Sequence, residues 1–254
     1  MKLEKLKLFF AKLFKKTNDV LFPANIKCLL CGRDLPQKQD VEFCSACMKK
    51  LCFVDENCCK TCGVKLKLKN VCENCASTKR DFDICRSVFV YNEHSAGLIK
   101  GFKYSNKPFV HRTLGVLLAK KFEELKWQVD FVVPVPITKK VRKQRGFNQT
   151  ELLADKMAEI ANLKVEKNIL QKTKDTQHQA SLGFVERQQN IAQSFEVLDK
   201  STVKGKTILL IDDVLTTGAT LCACAQVLKK AGAKHVFALT VASTSPSSER
   251  KNEN

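Results

Sequence analysis

The chain has 254 residues, 44% of them apolar, which is enough to bury a real core and excludes wholesale disorder. Lys and Arg number 44 against 26 Asp and Glu, a formal net charge of +18 that favours phosphate-rich partners: nucleotides, nucleic acid or anionic lipid. No apolar run reaches the ~18 residues of a membrane span and no cleavable signal is evident, so a cytoplasmic protein is expected. Clustered cysteines in that compartment bind metal rather than form disulfides.

Residues 1–22 carry Leu6, Phe9, Phe10, Leu13 and Phe14 at helical spacing, with lysines opposite. The pattern predicts a basic amphipathic helix. Its apolar face packs either on the rest of the protein or on a membrane surface, as a peripheral contact.

A cysteine-rich module follows over residues 23–80. Eight of the chain's 13 cysteines form CxxC pairs: Cys28/Cys31, Cys44/Cys47, Cys59/Cys62 and Cys72/Cys75. Two residues between ligands let both thiolates reach one tetrahedral zinc from a tight turn. Gly32 and Gly63 follow the second cysteine of a pair, where a positive φ is often required. CLLCGRDL at Cys28 and CKTCGVKL at Cys59 are copies of one unit, each followed by one more CxxC. Two closed, structural zinc sites are therefore expected, in sequential pairing, with an interleaved cross-brace as the alternative. Redox chemistry would need one CxxC on a thioredoxin-like turn, not four in series. Cys222 and Cys224 fall in an apolar helical pattern and read as small core residues.

From residue 81 to 244, β-like runs alternate with helical patterns. Strands are expected at Ser87–Tyr91, Phe131–Val135, Ile208–Ile211 and Val236–Val241, and helices at His111–Leu125, Glu151–Ala161 and Ala219–Lys230. This order predicts an α/β fold with a mostly parallel sheet flanked by helices. Residues 245–254 are a polar tail with nothing to bury.

The segment from Ile208 to Leu221 carries the sharpest chemistry. A buried strand runs into Asp212 and Asp213, then Thr216, Thr217, Gly218, Ala219 and Thr220, then a helix. Backbone N–H groups at such a loop and helix start favour an anion, and Gly218 allows close approach. Adjacent carboxylates make sense beside phosphate if they accept bonds from sugar hydroxyls or contact a phosphate-bound Mg²⁺. Gly205-Lys206-Thr207 is no P-loop, because it precedes its strand, and no GxGxxG supports a Rossmann site.

A second rim follows the strand stopped by Pro134 and Pro136: a basic loop over Thr138–Gln149. Loops at the carboxyl ends of parallel strands are where open α/β sheets bind ligands. Arg145 offers a bidentate fork for phosphate oxygens, and Asn148 and Gln149 add donors. The polar stretch Lys172–Asn190 has the length of a lid, and His178 within it is either a base or merely exposed.

The strand, acidic pair and TTGAT loop resemble the phosphoribosyl-pyrophosphate (PRPP) loop of type I phosphoribosyltransferases. More of the chain resembles the ComF family, on the strength of Leu21-Phe22-Pro23, the CxxCG knuckles, Phe102-Lys103-Tyr104, Val133-Pro134-Val135-Pro136, Arg145-Gly146-Phe147-Asn148-Gln149 and Asp212 through Thr220. The resemblance implies a double zinc ribbon joined to a phosphoribosyltransferase-like domain. It implies that Asp212 and Asp213 take the ribose hydroxyls and Thr216 to Thr220 the 5′-phosphate, with Lys103, Arg145, Gly146, Asn148 and Gln149 as a pyrophosphate rim. It also implies Mg²⁺ with PRPP and a role in natural competence, with single-stranded DNA and a competence helicase or other DNA-uptake protein as partners. Three functions compete: a phosphoribosyl transfer enzyme, in competence or in nucleotide salvage; a PRPP-sensing regulator or adaptor; and a nucleic-acid-binding module. An aromatic fraction of 7% gives the last few stacking platforms.

Overall fold

The computed structural model describes residues 26–36, 39–67, 70–104, 107–174 and 194–245. The expected N-terminal helix, most of the 172–190 stretch with His178, and the polar tail lie outside them.

Four strands form one all-parallel sheet in the order β1-β6-β5-β2: β1 (Ile84–Val90), β6 (His235–Ser243), β5 (Thr207–Leu215) and β2 (Phe131–Pro134). Side chains of β5 alternate between two cores. Leu209 and Ile211 join Leu239 and Val241 beneath two helices, Val110–Leu125 and Gln149–Ala161. Ile208 and Leu210 join Val236 and Ala238 beneath the helix Ala219–Lys230. All eight of these strand residues are essentially fully buried, as a parallel sheet covered on both faces demands.

The remaining elements fix the labels in chain order: α1 (Ser45–Met48), α2 (Glu73–Ser77), α3 (Glu93–Tyr104), α4 (Val110–Leu125), α5 (Lys139–Arg145), α6 (Gln149–Ala161), β3 (Leu170–Lys172), β4 (Phe195–Val197), α7 (Lys200–Val203) and α8 (Ala219–Lys230). Strands β3 and β4 pair antiparallel as a separate ribbon, so Lys172 belongs to a strand rather than to the expected lid.

The expected strands and helices are present, several of them longer than their apolar runs. Strand β5 continues through both aspartates to Leu215, because Val214 and Leu215 still pair with Ala242 and Ser243 of β6. Helix α3 was hidden by Gly97 and Gly101, which lower helix propensity. Its start is set by Asn92, whose side chain accepts from the backbone N–H of Ser95 at 2.9 Å. The basic loop over Thr138–Gln149 proves to be mostly helical. Thr138 caps α5 by accepting from Val141 N–H, and Gly146 ends it at φ 83°. Three cations in its last turn suit the helix dipole.

The zinc-ribbon segment is part of this fold and not an appendage. Residues 52–54 run antiparallel along the outer edge of β1: Val90 N–H donates to the Cys52 carbonyl at 2.7 Å, and Val54 N–H to the Val88 carbonyl at 2.9 Å. The second knuckle continues the cover, with Cys85 N–H donating to the Thr61 carbonyl at 2.7 Å and Arg86 to that of Lys60 at 3.0 Å. The first ribbon packs into the α4/α6 core and the second into the α8 core, so the repeat straddles the sheet.

The two copies differ at their glycines. Gly32 has φ +72° with open space around it, whereas a Cβ on Gly63, at φ +71°, would stand 2.5 Å from the Cys85 carbonyl oxygen. Gly32→Ala should therefore cost only the left-handed backbone strain, about 1–2 kcal/mol. Gly63→Ala should cost roughly 1–3 kcal/mol more, because its neighbour is backbone that cannot yield. Denaturant unfolding of both variants checks this, and equal losses would contradict the close approach.

Candidate functional site

The four pairs of cysteines resolve into two clusters, Cys28/Cys31/Cys44/Cys47 and Cys59/Cys62/Cys72/Cys75, whose sulfurs all lie within 4.8 Å of one another. Pairing is sequential, and the interleaved alternative is excluded for these residues. A tetrahedron of ~2.3 Å Zn–S bonds places sulfurs about 3.8 Å apart. Cys31 and Cys44 stand at 3.8 Å, Cys62 and Cys72 at 3.6 Å. Both donor sets fit zinc closed on all four positions, which is a structural and not a catalytic metal. The copies are matched in detail: Gly32 N–H donates to the Cys28 carbonyl as Gly63 N–H does to that of Cys59. The first cluster is more open, with Cys31 exposed, while Cys59, Cys62 and Cys72 are buried. Cys85 and Cys224 are core residues, but Cys222 is only half-buried, with Arg80 beside it.

The sheet's carboxyl end carries the acidic pair. Asp212 and Asp213 are 9% and 5% exposed. Because β5 remains a regular strand here, they point to opposite faces, and the pair is not two equivalent acceptors. Asp213 faces the basic rim. Its Oδ1 accepts from Lys103 Nζ at 2.7 Å and its Oδ2 from Gln149 Nε2 at 2.7 Å. Arg145 in turn donates to Gln149 Oε1 and lies over the Tyr104 ring, 5.3 Å from its centroid. Burial opposes the charge on Lys103, yet Asp213 raises its pKa above the ordinary lysine value. Asp212 faces the other core, with Lys172, Cys85 and Cys224 among its electrostatic neighbours. Its Oδ1 accepts from Asp213 N–H at 2.8 Å. Burial first, and the charge of Asp213 second, push its carboxyl up to about 7.

Thus the structure brings Lys103, Arg145, Gln149 and Asp213 into one bonded chain. Asn148 takes a different place. It is buried, capping α6 through Thr150 N–H and donating to the Val135 carbonyl at 3.2 Å, so both ends of its amide serve the fold. Gly146 lines a cavity of about 520 Å³ together with Lys103, Tyr104, Lys143, Arg145 and Phe147. That cavity lies beside the acidic pair, sharing Lys103 with it.

The TTGAT loop sits between β5 and α8. Thr216 and Thr217 are exposed, Thr217 Oγ1 accepts from Ala219 N–H at 3.3 Å, and Gly218 is the α8 N-cap at φ 80°, with Ala219 and Thr220 opening the helix. A residue that sequence reasoning overlooked holds it: Arg80 Nη1 donates to the Thr217 carbonyl at 2.8 Å. Only its position soon after the last zinc ligand could have drawn notice.

Residues 106–254 match the phosphoribosyl transferase domain family, and residues 17–76 match the double zinc ribbon domain. Competence protein F of Haemophilus influenzae is 29% identical over 220 residues, covering 84% of this chain and 94% of its own. Competence protein ComFC of Bacillus subtilis is 28% identical over 225 residues, covering 81% and 89%. The DNA utilization protein YhgH of Escherichia coli is 26% identical over 201 residues, covering 76% and 87%.

The buried carboxyl at 212 has a consequence for stability. Its folded pKa of about 7 exceeds the ordinary 3.8, so the folded state holds the proton more tightly. Stability contributed by the protonated form is complete below about pH 4 and is lost as pH rises through about 7. Asp212→Asn cannot ionise, so it should melt higher than wild type above neutrality, with the two converging near pH 4. Thermal unfolding across that range checks it; acid release of metal affects both proteins alike and cancels in the difference. Parallel curves would mean that Asp212 carries its charge freely.

Proposed function

Because the chain belongs to the phosphoribosyl transferase domain family, in the ComF group that joins it to a double zinc ribbon, we propose that it binds PRPP with Mg²⁺ and transfers the phosphoribosyl group to an acceptor. The observation that carries this reading is the Asp213 clamp. A buried carboxylate held by Lys103 and Gln149 stands one short strand-end away from the TTGAT loop, whose Thr216 and Thr217 are exposed. The loop's N–H groups and threonine hydroxyls suit the 5′-phosphate, and Asp213 the ribose hydroxyls. Lys103 and Arg145, which line the basic cavity, suit the pyrophosphate. Mg²⁺ would arrive with the diphosphate and neutralise its charge.

The chemistry asks little of a general base. Ribosyl transfer develops positive charge at the ribose carbon, so orientation and a nearby carboxylate supply most of the help. An anionic diphosphate offers Lys103 a second partner, which frees a lone pair on Asp213 for a hydroxyl.

Removal of Asp213 should therefore weaken Mg·PRPP binding by ~tenfold or more, since a hydrogen bond to a carboxylate contributes roughly 1.5–3 kcal/mol. Asp212→Ala should cost less, because that side chain faces away from the Lys103 and Gln149 rim. Calorimetry on both variants and their double mutant tests it, and unchanged affinity in the double mutant would place PRPP elsewhere. Pyrophosphate release with candidate acceptors separates an enzyme from a PRPP-sensing regulator, which binds without release.

The relatives' names lead us to place this activity in natural competence, in the handling of incoming single-stranded DNA with other DNA-uptake proteins. Among the described residues no helix is long and apolar enough to cross a membrane. Helix α5 supports the nucleic-acid reading by exposing Lys139, Lys140, Arg142 and Lys143 on one short element. Binding to single strands should weaken by ~0.7 log units per tenfold salt for each phosphate neutralised. Reversing the charge of Lys139 and Lys140 should flatten that slope and leave Mg·PRPP affinity intact; an unchanged slope, or equal loss against heparin, would remove α5 from the DNA surface.

A further inference from the structure

Arg80 joins the second zinc ribbon to the phosphate loop. It lies between the last zinc ligand, Cys75, and β1, and its guanidinium reaches in two directions. Toward the ribbon it lines a small cleft together with Cys62, Val64, Cys72 and Asn74, two of them ligands of the second cluster. Toward the loop, Nη1 donates to the Thr217 carbonyl at 2.8 Å and stands 3.2 Å from where a Cβ on Gly218 would be. Glycine at 218 is therefore what lets the guanidinium close on the loop. Leu215, Thr216 and Thr217 line the same cleft from the loop side. Its Nε is buried with no hydrogen-bond partner among the described residues. An unpaired buried donor of this kind is costly, and the Thr217 bond helps hold the group there against that cost.

The peptide geometry gives this contact a direction. In a trans peptide the carbonyl and the following N–H point in opposite directions. Drawing the Thr217 carbonyl toward Arg80 therefore turns the Gly218 N–H away from the guanidinium. An anion at the loop is met by an oriented N–H only while Arg80 keeps that peptide fixed. Arg80 in turn enters from the segment that follows Cys75 and packs beside Cys62 and Cys72, so the folding of the second cluster around its metal sets where its side chain stands.

We infer that Arg80 is a positioning residue through which the second zinc site and the anion-binding loop are energetically coupled. The inference rests on the reading of that loop as the PRPP phosphate site. Coupling between two sites is reciprocal, so metal in the second cluster tightens ligand binding and ligand protects that cluster and not the first. The first ribbon packs on the other face of the sheet and does not share the contact.

The full chain, loaded with zinc, tests this in three proteins: wild type, Arg80→Ala and Arg80→Lys. Arg80→Ala should retain two zinc ions and bind Mg·PRPP about fivefold or more weakly, with Arg80→Lys between it and wild type. Chelator challenge followed by thiol alkylation and mass mapping reads each cluster separately. Mg·PRPP should slow labelling of Cys59, Cys62, Cys72 and Cys75 in wild type, leave Cys28, Cys31, Cys44 and Cys47 unchanged, and protect neither cluster in Arg80→Ala. Wild-type affinity in Arg80→Ala, or protection of the first cluster instead, would overturn the coupling. Should wild type bind no Mg·PRPP, the functional reading falls, and the coupling is judged by amide hydrogen exchange at residues 216–220. Faster exchange in Arg80→Ala, and in wild type after chelation, upholds it; unchanged exchange overturns it.

Discussion

A parallel sheet must be covered on both faces and along its edges, and with four strands among the described residues this one has few helices there to do it. Helices α4 and α6 take one face and α8 the other. The edge at β1 is closed by the ribbon, whose residues 52–54 pair with it as a short antiparallel strand. Each zinc knuckle then fills a different core, with Cys28 and Cys47 joining one and Cys59, Cys62 and Cys72 the other. Metal thus does the work that further strands or helices would do in a larger α/β domain. A four-thiolate zinc site organises a short segment whose own apolar surface is too small to fold unaided. The price of this arrangement is that the sheet's outer strand is only as well covered as the ribbon is metallated.

Much of this was legible because the relevant signals are local. Four CxxC pairs with a repeated glycine announce two tetrahedral sites, and the runs Phe131–Val133 and Ile208–Ile211 announce buried strands. Helix α3 was not legible, because Gly97 and Gly101 weaken a pattern whose buried side, Ala96, Leu98, Ile99 and Phe102, is set by tertiary packing. Helix α5 was missed for the opposite reason. It buries nothing, so it has no apolar period, and only Thr138 and Gly146 at its ends mark it. The role of Arg80 belongs to neither kind. It depends on a contact across 137 residues of chain, from ribbon to loop, which no local pattern encodes.

The candidate site shows the same division. That an acidic loop and a basic rim should share one end of the sheet followed from parallel topology, since both leave strands at their carboxyl ends. What did not follow is which side chains meet. Asn148 and Gln149 are neighbours of similar chemistry, yet Asn148 turns inward as a helix cap while Gln149 reaches Asp213. The difference lies in the start of α6: the cap position must satisfy the helix's own N–H groups, and the next residue is the first one free of that duty.

The acidic pair separates in the same way, and strand geometry is the cause. Successive residues of a strand point to opposite faces, so two identical carboxylates are given two environments. Asp213 meets a cation and an amide donor. Asp212 meets a core containing Cys85 and Cys224, and is left with its neighbour's N–H as its hydrogen-bond donor. One aspartate is thereby tied by an ion pair and an amide, and the other is a group whose charge depends on what surrounds it. A cation or hydroxyl brought close to Asp212 would stabilise its ionised form, so ligand binding and proton release at this residue are linked with a definite sign. The adjacency that makes the pair look redundant in the sequence is what makes its members physically unlike.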